Sequence, residues 1–293
     1  MASTFSRPAA ATAGIRPRAG VFFRLVRTPR VVGPAVFLAV VAALSLLAPL
    51  IAPHDPLEMR PPRALQGPGP EFLLGTDEYG RDILSRLLYG GRVSLAVAVG
   101  SILVAGVVGV ALGLAGGYYG GIWEALTMRT ADLLLSIPPI LLAIATVAFL
   151  GSNLANLILV IGLLYVPRFA RVVHGSTLAV KQREFVEAAR VVGARDLRIL
   201  LTAILPNILA PIIVQASVSL GFAILLESGL GFLGLGAPPP TPSWGQMVGT
   251  GRGYMHLAPW PVLWPALMVW AVILAFNLLG DGLRDLLDPR LRG

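Results

Sequence analysis

The segment Glu187-Ala188-Ala189-Arg190-Val191-Val192-Gly193 stands in a basic stretch of the chain and is followed about a dozen residues later by Leu205-Pro206. A carboxylate among arginines, with a glycine to stop a helix, offers another protein charge, shape and a stiff break. It does not offer bond-making chemistry, and the rest of the chain is poor in groups that would. A phosphate-binding loop needs Gly-Lys-Ser/Thr so that backbone amides and an ammonium hold the phosphates. The only lysine is Lys181, between Val180 and Gln182. His54, His174 and His256 fall in different loops, without partners at metal-ligand spacing. No Gly-x-Ser-x-Gly elbow or pair of buried carboxylates suggests hydrolysis. With no cysteine, disulfides, iron–sulfur clusters and thiolate sites are excluded.

These residues must be held by helices. On a helix from Thr177 to Val192, Leu178, Phe185, Ala189 and Val192 share one stripe, with Glu187 nearly opposite. Gly193 reads as a C-cap glycine. Asp196 then caps a second helix through Leu197, Leu200 and Leu201 that feeds into an apolar span at Pro206. Two helices broken at one glycine make an element stiff enough to transmit a push.

The surroundings are membrane. Hydrophobic residues make up 56% of the 293-residue chain and charged residues 13%, half the share of a soluble protein. The mean hydropathy is +0.78. Val31–Ile51, Val93–Tyr119, Leu133–Pro167, Ile199–Leu226 and Ala258–Gly280 carry no Asp, Glu, Lys or Arg. A span takes about 20 apolar residues. Leu133–Pro167 therefore divides into two spans at the turn Gly151-Ser152-Asn153-Leu154-Ala155-Asn156. The total is six, the fourth running roughly Leu157–Val173 despite Pro167, Arg168 and Arg171.

The net charge of +8 fits topology better than nucleic acid, for which no role is expected. Arg7, Arg16, Arg18, Arg24, Arg27 and Arg30 precede the first span. Arg168, Arg171, Lys181, Arg183, Arg190, Arg195 and Arg198 lie around the fourth-to-fifth connection, and Arg284, Arg290 and Arg292 follow the sixth. Six spans bring all three clusters to one side, which the positive-inside rule makes cytoplasmic. The outer loop 52–91 and its border carry Arg60, Arg63, Arg81, Arg86 and Arg92 against the rule, offset by Asp55, Glu58, Glu71, Asp77, Glu78 and Asp82. The first apolar run is too long for a signal-peptide core and lacks an Ala-x-Ala site, so it reads as an uncleaved span.

Within the outer loop the first half is proline-rich, and Ile83, Leu84, Leu87 and Leu88 make a stripe suited to the membrane surface. Gly109, Gly113 and Gly117 recur every four residues, a spacing that lets helices approach closely in lipid; generic packing is favoured over a dimerisation face. Trp260 and Trp264 fit an interfacial belt. Asp132, Arg129 and Glu227 lie at span edges, where snorkelling or local pairing is favoured over a substrate role.

The Glu187-Ala188-Ala189, Gly193 and Leu205-Pro206 pattern resembles the cytoplasmic loop of ABC importer permeases, with Ala203 where that family often has Ile. Leu74-Gly75-Thr76-Asp77 through Gly80-Arg81-Asp82, Ser85-Arg86 and Gly90 resembles the dipeptide, oligopeptide and nickel permeases. So do Gly231-Phe232-Leu233-Gly234-Leu235-Gly236 through Pro239 and Pro242-Ser243-Trp244-Gly245, and Ala275 through Asp285 with Asp288-Pro289-Arg290. Together they look like the second of two paired permeases.

The resemblance implies an all-α membrane protein with the six-span type I ABC importer permease fold. It divides into a cytoplasmic tail (1–30), a first span (31–51), an extracytoplasmic loop (52–91), a permease core (92–281, coupling loop 174–205) and a cytoplasmic tail (282–293). It implies a non-catalytic subunit in the bacterial or archaeal inner membrane, binding no cofactor itself. Its partners would be a homologous permease in a heterodimer, two P-loop ATPase subunits holding ATP and Mg, and an extracytoplasmic solute-binding protein. Glu187, Ala188, Ala189, Gly193, Leu205 and Pro206 would form the ATPase-coupling site. Peptides are the favoured substrate, with nickel or another small solute as the alternative. An ion-coupled secondary transporter is disfavoured, since no midplane acid or inverted repeat is evident.

The natural lack of cysteine makes the topology testable. Cysteines introduced at Gln66 and Thr250 should react with an impermeant thiol reagent applied outside, and one at Gln182 should not. Labelling of Gln182→Cys in sealed cells would invert the assignment.

Overall fold

The computed structural model describes residues 28–287. The N-terminal tail with Arg7 to Arg27, and Asp288-Pro289-Arg290 with Arg292, lie outside the described residues. Among those described there is no β-strand, only an isolated antiparallel bridge between Thr76 and Asp82. Lipid imposes this, because a spanning backbone must satisfy its own polar groups.

The first helix, α1, is Pro29–Leu46, opened by a proline whose missing N–H has no partner to lose there. Helix α2 is Ile83–Tyr119, α3 Gly121–Ser136, α4 Pro139–Leu150 and α5 Leu154–Lys181. Helix α6 is Glu184–Val191, α7 Leu205–Phe232, α8 Trp244–Gly251 and α9 Trp260–Leu287. Five of the described helices are long and apolar enough to cross a membrane, and a sixth span exists if α3 and α4 are one broken pair.

That pair corrects the third span, expected as a plain helix beginning at Leu133. α3 and α4 meet at 91°. Pro138 drives Ile137 to an extended conformation (φ −95°, ψ 132°), and Pro139 then starts a new helix. α4 has 12 residues, roughly 18 Å at the helical rise, against about 30 Å of hydrocarbon.

The fourth span is the reverse case. Its low hydropathy made it the faintest in sequence, yet α5 is one helix through Pro167, and 61% of its most apolar window is buried, the largest share of any span. It faces protein rather than lipid, so polar groups are tolerated. The Arg168 guanidinium lies 5.0 Å from the Tyr165 ring centroid and 5.4 Å from that of Phe222. Arg171 pairs with Asp132 of α3. The turn before α5 forms as expected, with Gly151 at φ +83° and the Asn153 side chain accepting from the Asn156 N–H at 2.8 Å.

α2 packs along α5 through the glycine ladder. A Cβ at Gly109 would fall 2.5 Å from Phe169 Cβ, one at Gly113 2.6 Å from the Ala170 carbonyl oxygen, and one at Gly117 2.8 Å from Thr177 Cβ. The ladder thus serves packing within the chain. In lipid such contact, rather than exclusion of water, binds helices together. Around it lies the main core, including Val97, Ile102, Leu157, Ile161 and Phe169.

α2 also overturns the surface-helix reading of Arg81–Tyr89. The helix runs unbroken from Ile83, with Asp82 as N-cap accepting from the Ser85 N–H at 2.8 Å. Ile83 and Leu87 are buried in the core. Its 37 residues extend roughly 55 Å, so one end stands in the layer formed by the outer loop.

That layer explains the arginines that break the charge rule. Arg81 Nε lies 2.7 Å from Asp77 Oδ2, and Arg86 Nε 3.3 Å from the same oxygen. Arg60 pairs with Glu58 at 3.0 Å and Arg63 with Glu71 at 3.2 Å. Burial raises the Glu78 carboxyl above its ordinary pKa even with Arg81 3.3 Å away. Arg92 stacks on Tyr89 instead. Trp260, expected in a lipid-facing belt, donates its Nε1–H to the Thr76 carbonyl at 3.2 Å and pins this layer to α9. Trp244 is buried, donating to the Leu87 carbonyl at 2.9 Å.

The ladder predicts a position-dependent effect. Gly113→Ala should lower the unfolding temperature of the detergent-purified protein, since overpacking costs about 1–3 kcal/mol. Gly106→Ala, whose Cβ would meet nothing closer than 3.9 Å, should leave it unchanged or raised. Equal midpoints for the two variants would refute the close α2–α5 approach.

Candidate functional site

The basic loop between α5 and α7 is built on its own apolar cluster. Val186 is fully buried against Leu114 and Tyr118 of α2, Val173 of α5, and Ile199, Leu200, Ile204 and Ile208 on the path into α7. Its burial explains a correction. The helix expected over Thr177–Val192 is two: α5 stops at Lys181, Gln182 and Arg183 turn the chain, and α6 begins at Glu184. No glycine or proline forces the break; tertiary contact by Val186 outweighs local propensity.

The stripe therefore changes face. Val186 and Ala189 point inward, while Phe185 is 46% and Val192 86% exposed. Glu187 and Ala188 lie on the open side, as does Val191 at 87% exposure. Phe185, Val191, Val192 and Leu197 thus form an exposed apolar crest beside the charges of Glu184, Glu187, Arg183 and Arg195. An apolar centre with a charged surround is the composition of a protein interface.

Gly193 ends α6 as expected, at φ +78°. Its N–H donates to the Arg190 carbonyl at 2.9 Å and the Ala194 N–H to that of Ala189 at 3.0 Å, the two bonds of a Schellman cap. Nothing lies within 4 Å of a Cβ built there, so conformation and not crowding requires glycine. The expected Asp196 cap does not form: Arg195 occupies the cap position of the turn Asp196–Arg198. Asp196 Oδ1 instead accepts from the Tyr118 hydroxyl at 2.7 Å. Tyr118 was missed in sequence because it read as the end of a span; only the fold brings it to a residue 78 positions away.

Leu205 and Pro206 open α7 after a π-helical stretch, Ile199–Ile204. Proline has no N–H to give the Thr202 carbonyl one turn back, and the wider turn accommodates its ring. The Asn207 side chain donates to the Ala203 carbonyl at 2.7 Å. Ala203 packs, partly buried, against the loop's apolar cluster, and Ile204 beside it is fully buried.

Beside the start of α7 lies a cavity of about 600 Å³ whose lining includes Asn207, Pro211, Gln215, Val218 and Arg284. At the other end of α7, Glu227 is fully enclosed rather than at a snorkelling edge. The Ser228 hydroxyl is 3.4 Å from Oε2, and Ser94 and Ser243 lie beside the carboxyl group. Among the described residues no three His, Asp or Glu side chains gather where they would hold a metal.

The model of the family described as binding-protein-dependent transport system inner membrane component matches residues 109–293, well over half the chain. This chain belongs to that family. It is similar to the dipeptide transport system permease protein DppC of Haemophilus influenzae, 44% identical over 88% of this chain and 89% of that one. It is 45% identical to DppC of Alkalihalophilus pseudofirmus over 85% and 82% of the respective chains. The glutathione transport system permease protein GsiD of Escherichia coli is 44% identical over 88% and 86%. Among solved structures, the MetNI methionine ABC transporter in inward-facing conformations aligns with a TM-score of 0.57 at 21% identity, covering 70% of this chain and 98% of that one. The fold is accordingly that of a type I ABC importer permease, and the chain is a multi-pass membrane translocation subunit.

Two loop variants test the site. Gly193→Val places a β-branched residue at positive φ, a strain of order 1–3 kcal/mol. Glu187→Lys reverses an exposed charge among arginines. Both should insert at near-normal abundance and lose transport, whereas Gly193→Asn, which tolerates positive φ, should retain most of it. Wild-type transport by both Gly193→Val and Glu187→Lys would make the loop a plain connector.

Proposed function

We propose that this chain is the non-catalytic half of a peptide import path. It would take di- or oligopeptides from an extracytoplasmic solute-binding protein and pass them by alternating access when two P-loop ATPase subunits close. The observation that carries the reading is the exposed crest of Phe185, Val191 and Val192. It is seated on the bundle by the buried Val186 and held in shape by Gly193. A rigid apolar ridge facing solvent from a basic loop suits docking to a separate subunit.

Several features support the finer assignments. ATP and Mg belong to the ATPase subunits in this reading, because Lys181 is the only lysine and stands in no phosphate-binding sequence. The cavity lined by Asn207, Gln215 and Arg284 is one side of a path that a second, homologous permease would complete. The basic loop and both termini are assigned to the cytoplasm from the positive-inside rule, with residues 52–91 outside and 92–281 as the permease core. Peptides are favoured over nickel because the similar proteins named above are dipeptide and glutathione permeases.

Purification through a tag on this chain should recover a homologous permease and two ATPase subunits. Proteoliposomes of that complex with its binding protein should accumulate labelled dipeptide only with ATP. A homodimer of this chain that transports alone would refute the heterodimer, and uptake of nickel but not of dipeptide would refute the substrate.

A further inference from the structure

The loop's polar contacts converge on one buried side chain outside it. Tyr118, in the last turn of α2, donates its hydroxyl to Asp196 Oδ1 at 2.7 Å. The Lys181 ammonium donates to the Tyr118 carbonyl and lies 5.7 Å from its ring centroid. The Arg190 guanidinium carbon lies 5.2 Å from the same centroid. The end of α5, the helix α6 and the turn before α7 thus each contact a single residue of α2.

The connectivity gives this convergence a consequence. A load on α6 reaches α5 and α7 through the chain itself, because the loop is covalently their connection. α2 has no such link: α3 and α4 intervene before α5. The load passes to α2 by contact, through the apolar cluster of Val186 and Leu114 and through Tyr118. Apolar contact is non-directional and permits sliding. A hydrogen bond to a carboxylate is directional and roughly twice as strong as a neutral one, and cation–π attraction from two cations to the same ring adds to it.

We propose that Tyr118 is a positioning residue that transmits movement of the loop to α2, so that this helix moves with α5 and α7 during transport. The proposal rests on the reading of the loop as the ATPase-docking element. Its chemistry is separable from docking, because Tyr118 is buried at 5% exposure and presents nothing to a partner.

The test uses the whole transporter in proteoliposomes, with uptake and ATP hydrolysis measured together. Tyr118→Phe keeps the ring and removes the hydroxyl; Asp196→Ala removes the acceptor from the loop side. Each should leave the ATPase bound and hydrolysing while solute moved per ATP falls roughly tenfold, the scale of one hydrogen bond to a charged group. The double variant should be no worse than the single ones, because both delete one contact. An unchanged ratio in either variant that inserts, or loss of the ATPase from Tyr118→Phe, would overturn the transmitting role. A cysteine at Val191 separates the two readings. Cross-linking to the ATPase with an unchanged Tyr118→Phe ratio removes only Tyr118, and no cross-link in a transporting complex removes both.

Discussion

The close approach of α2 and α5 is the constraint on which the rest of the structure depends. Side chains at Gly109, Gly113 or Gly117 would overlap Phe169, the Ala170 carbonyl or Thr177, so the helices meet only because those positions are bare. The last of these contacts lies one residue before Tyr118 and at the height of Thr177. Val173 and Leu114 sit on the same stretch of the two helices and form the floor on which Val186 rests. A wider separation would open that floor, and the loop would lose its seat. In a bilayer there is little solvent exclusion to restore it, because lipid is as apolar as the helix surfaces.

The opposite face is organised by charge. Asp77 serves two arginines at once, paired with Arg81 at 2.7 Å and Arg86 at 3.3 Å, while Gly80, at positive φ, lets the chain pass the Arg60 carbonyl. Pairing at short range removes most of the field that an unpaired arginine would present to the translocation machinery. An excess of basic residues on a nominally outer loop is therefore compatible with the topology read from the other three clusters. Trp260 then fastens the loop to α9 by a hydrogen bond 184 residues distant in sequence, which ties the charge cluster to the membrane bundle.

What the sequence disclosed and what it concealed divide along physical lines. Features set by one residue's own backbone were legible: the positive-φ cap at Gly193 and the turn from Gly151 to Asn156. The glycine spacing of α2 was legible too, since its meaning is local to the helix surface. Features set by contact were not. The break at Gln182–Arg183 follows from where Val186 must go, and the burial of α5 hides a span that hydropathy alone makes faint. Asp196 had a local reading as a cap and lost it to Tyr118, a partner that no window of the sequence contains. Glu227 likewise looked like an edge residue until Ser94 and Ser243, far apart in the chain, closed around it. The 91° bend lies between, since the two prolines mark its place but not its angle.

The two apolar clusters of the described residues make α2 more than one span among several. One cluster holds Ile83, Leu87, Val97, Ile102 and Ala105 of this helix with Trp244; the other holds its Leu114 and Tyr118 with the loop. Both clusters are therefore anchored on a single unbroken helix of 37 residues, free of proline and packed against α5 over much of its length. Ser94, between Leu87 and Val97 of the first cluster, accepts from the Trp244 N–H at 3.3 Å and ties α8 to this helix. A displacement of α2 by one part of a helical turn would repack both clusters together, because close-packed side chains have no slack to absorb it. The loop seated by Val186 and the charge layer around Asp77 are in this way fixed to opposite ends of one strut.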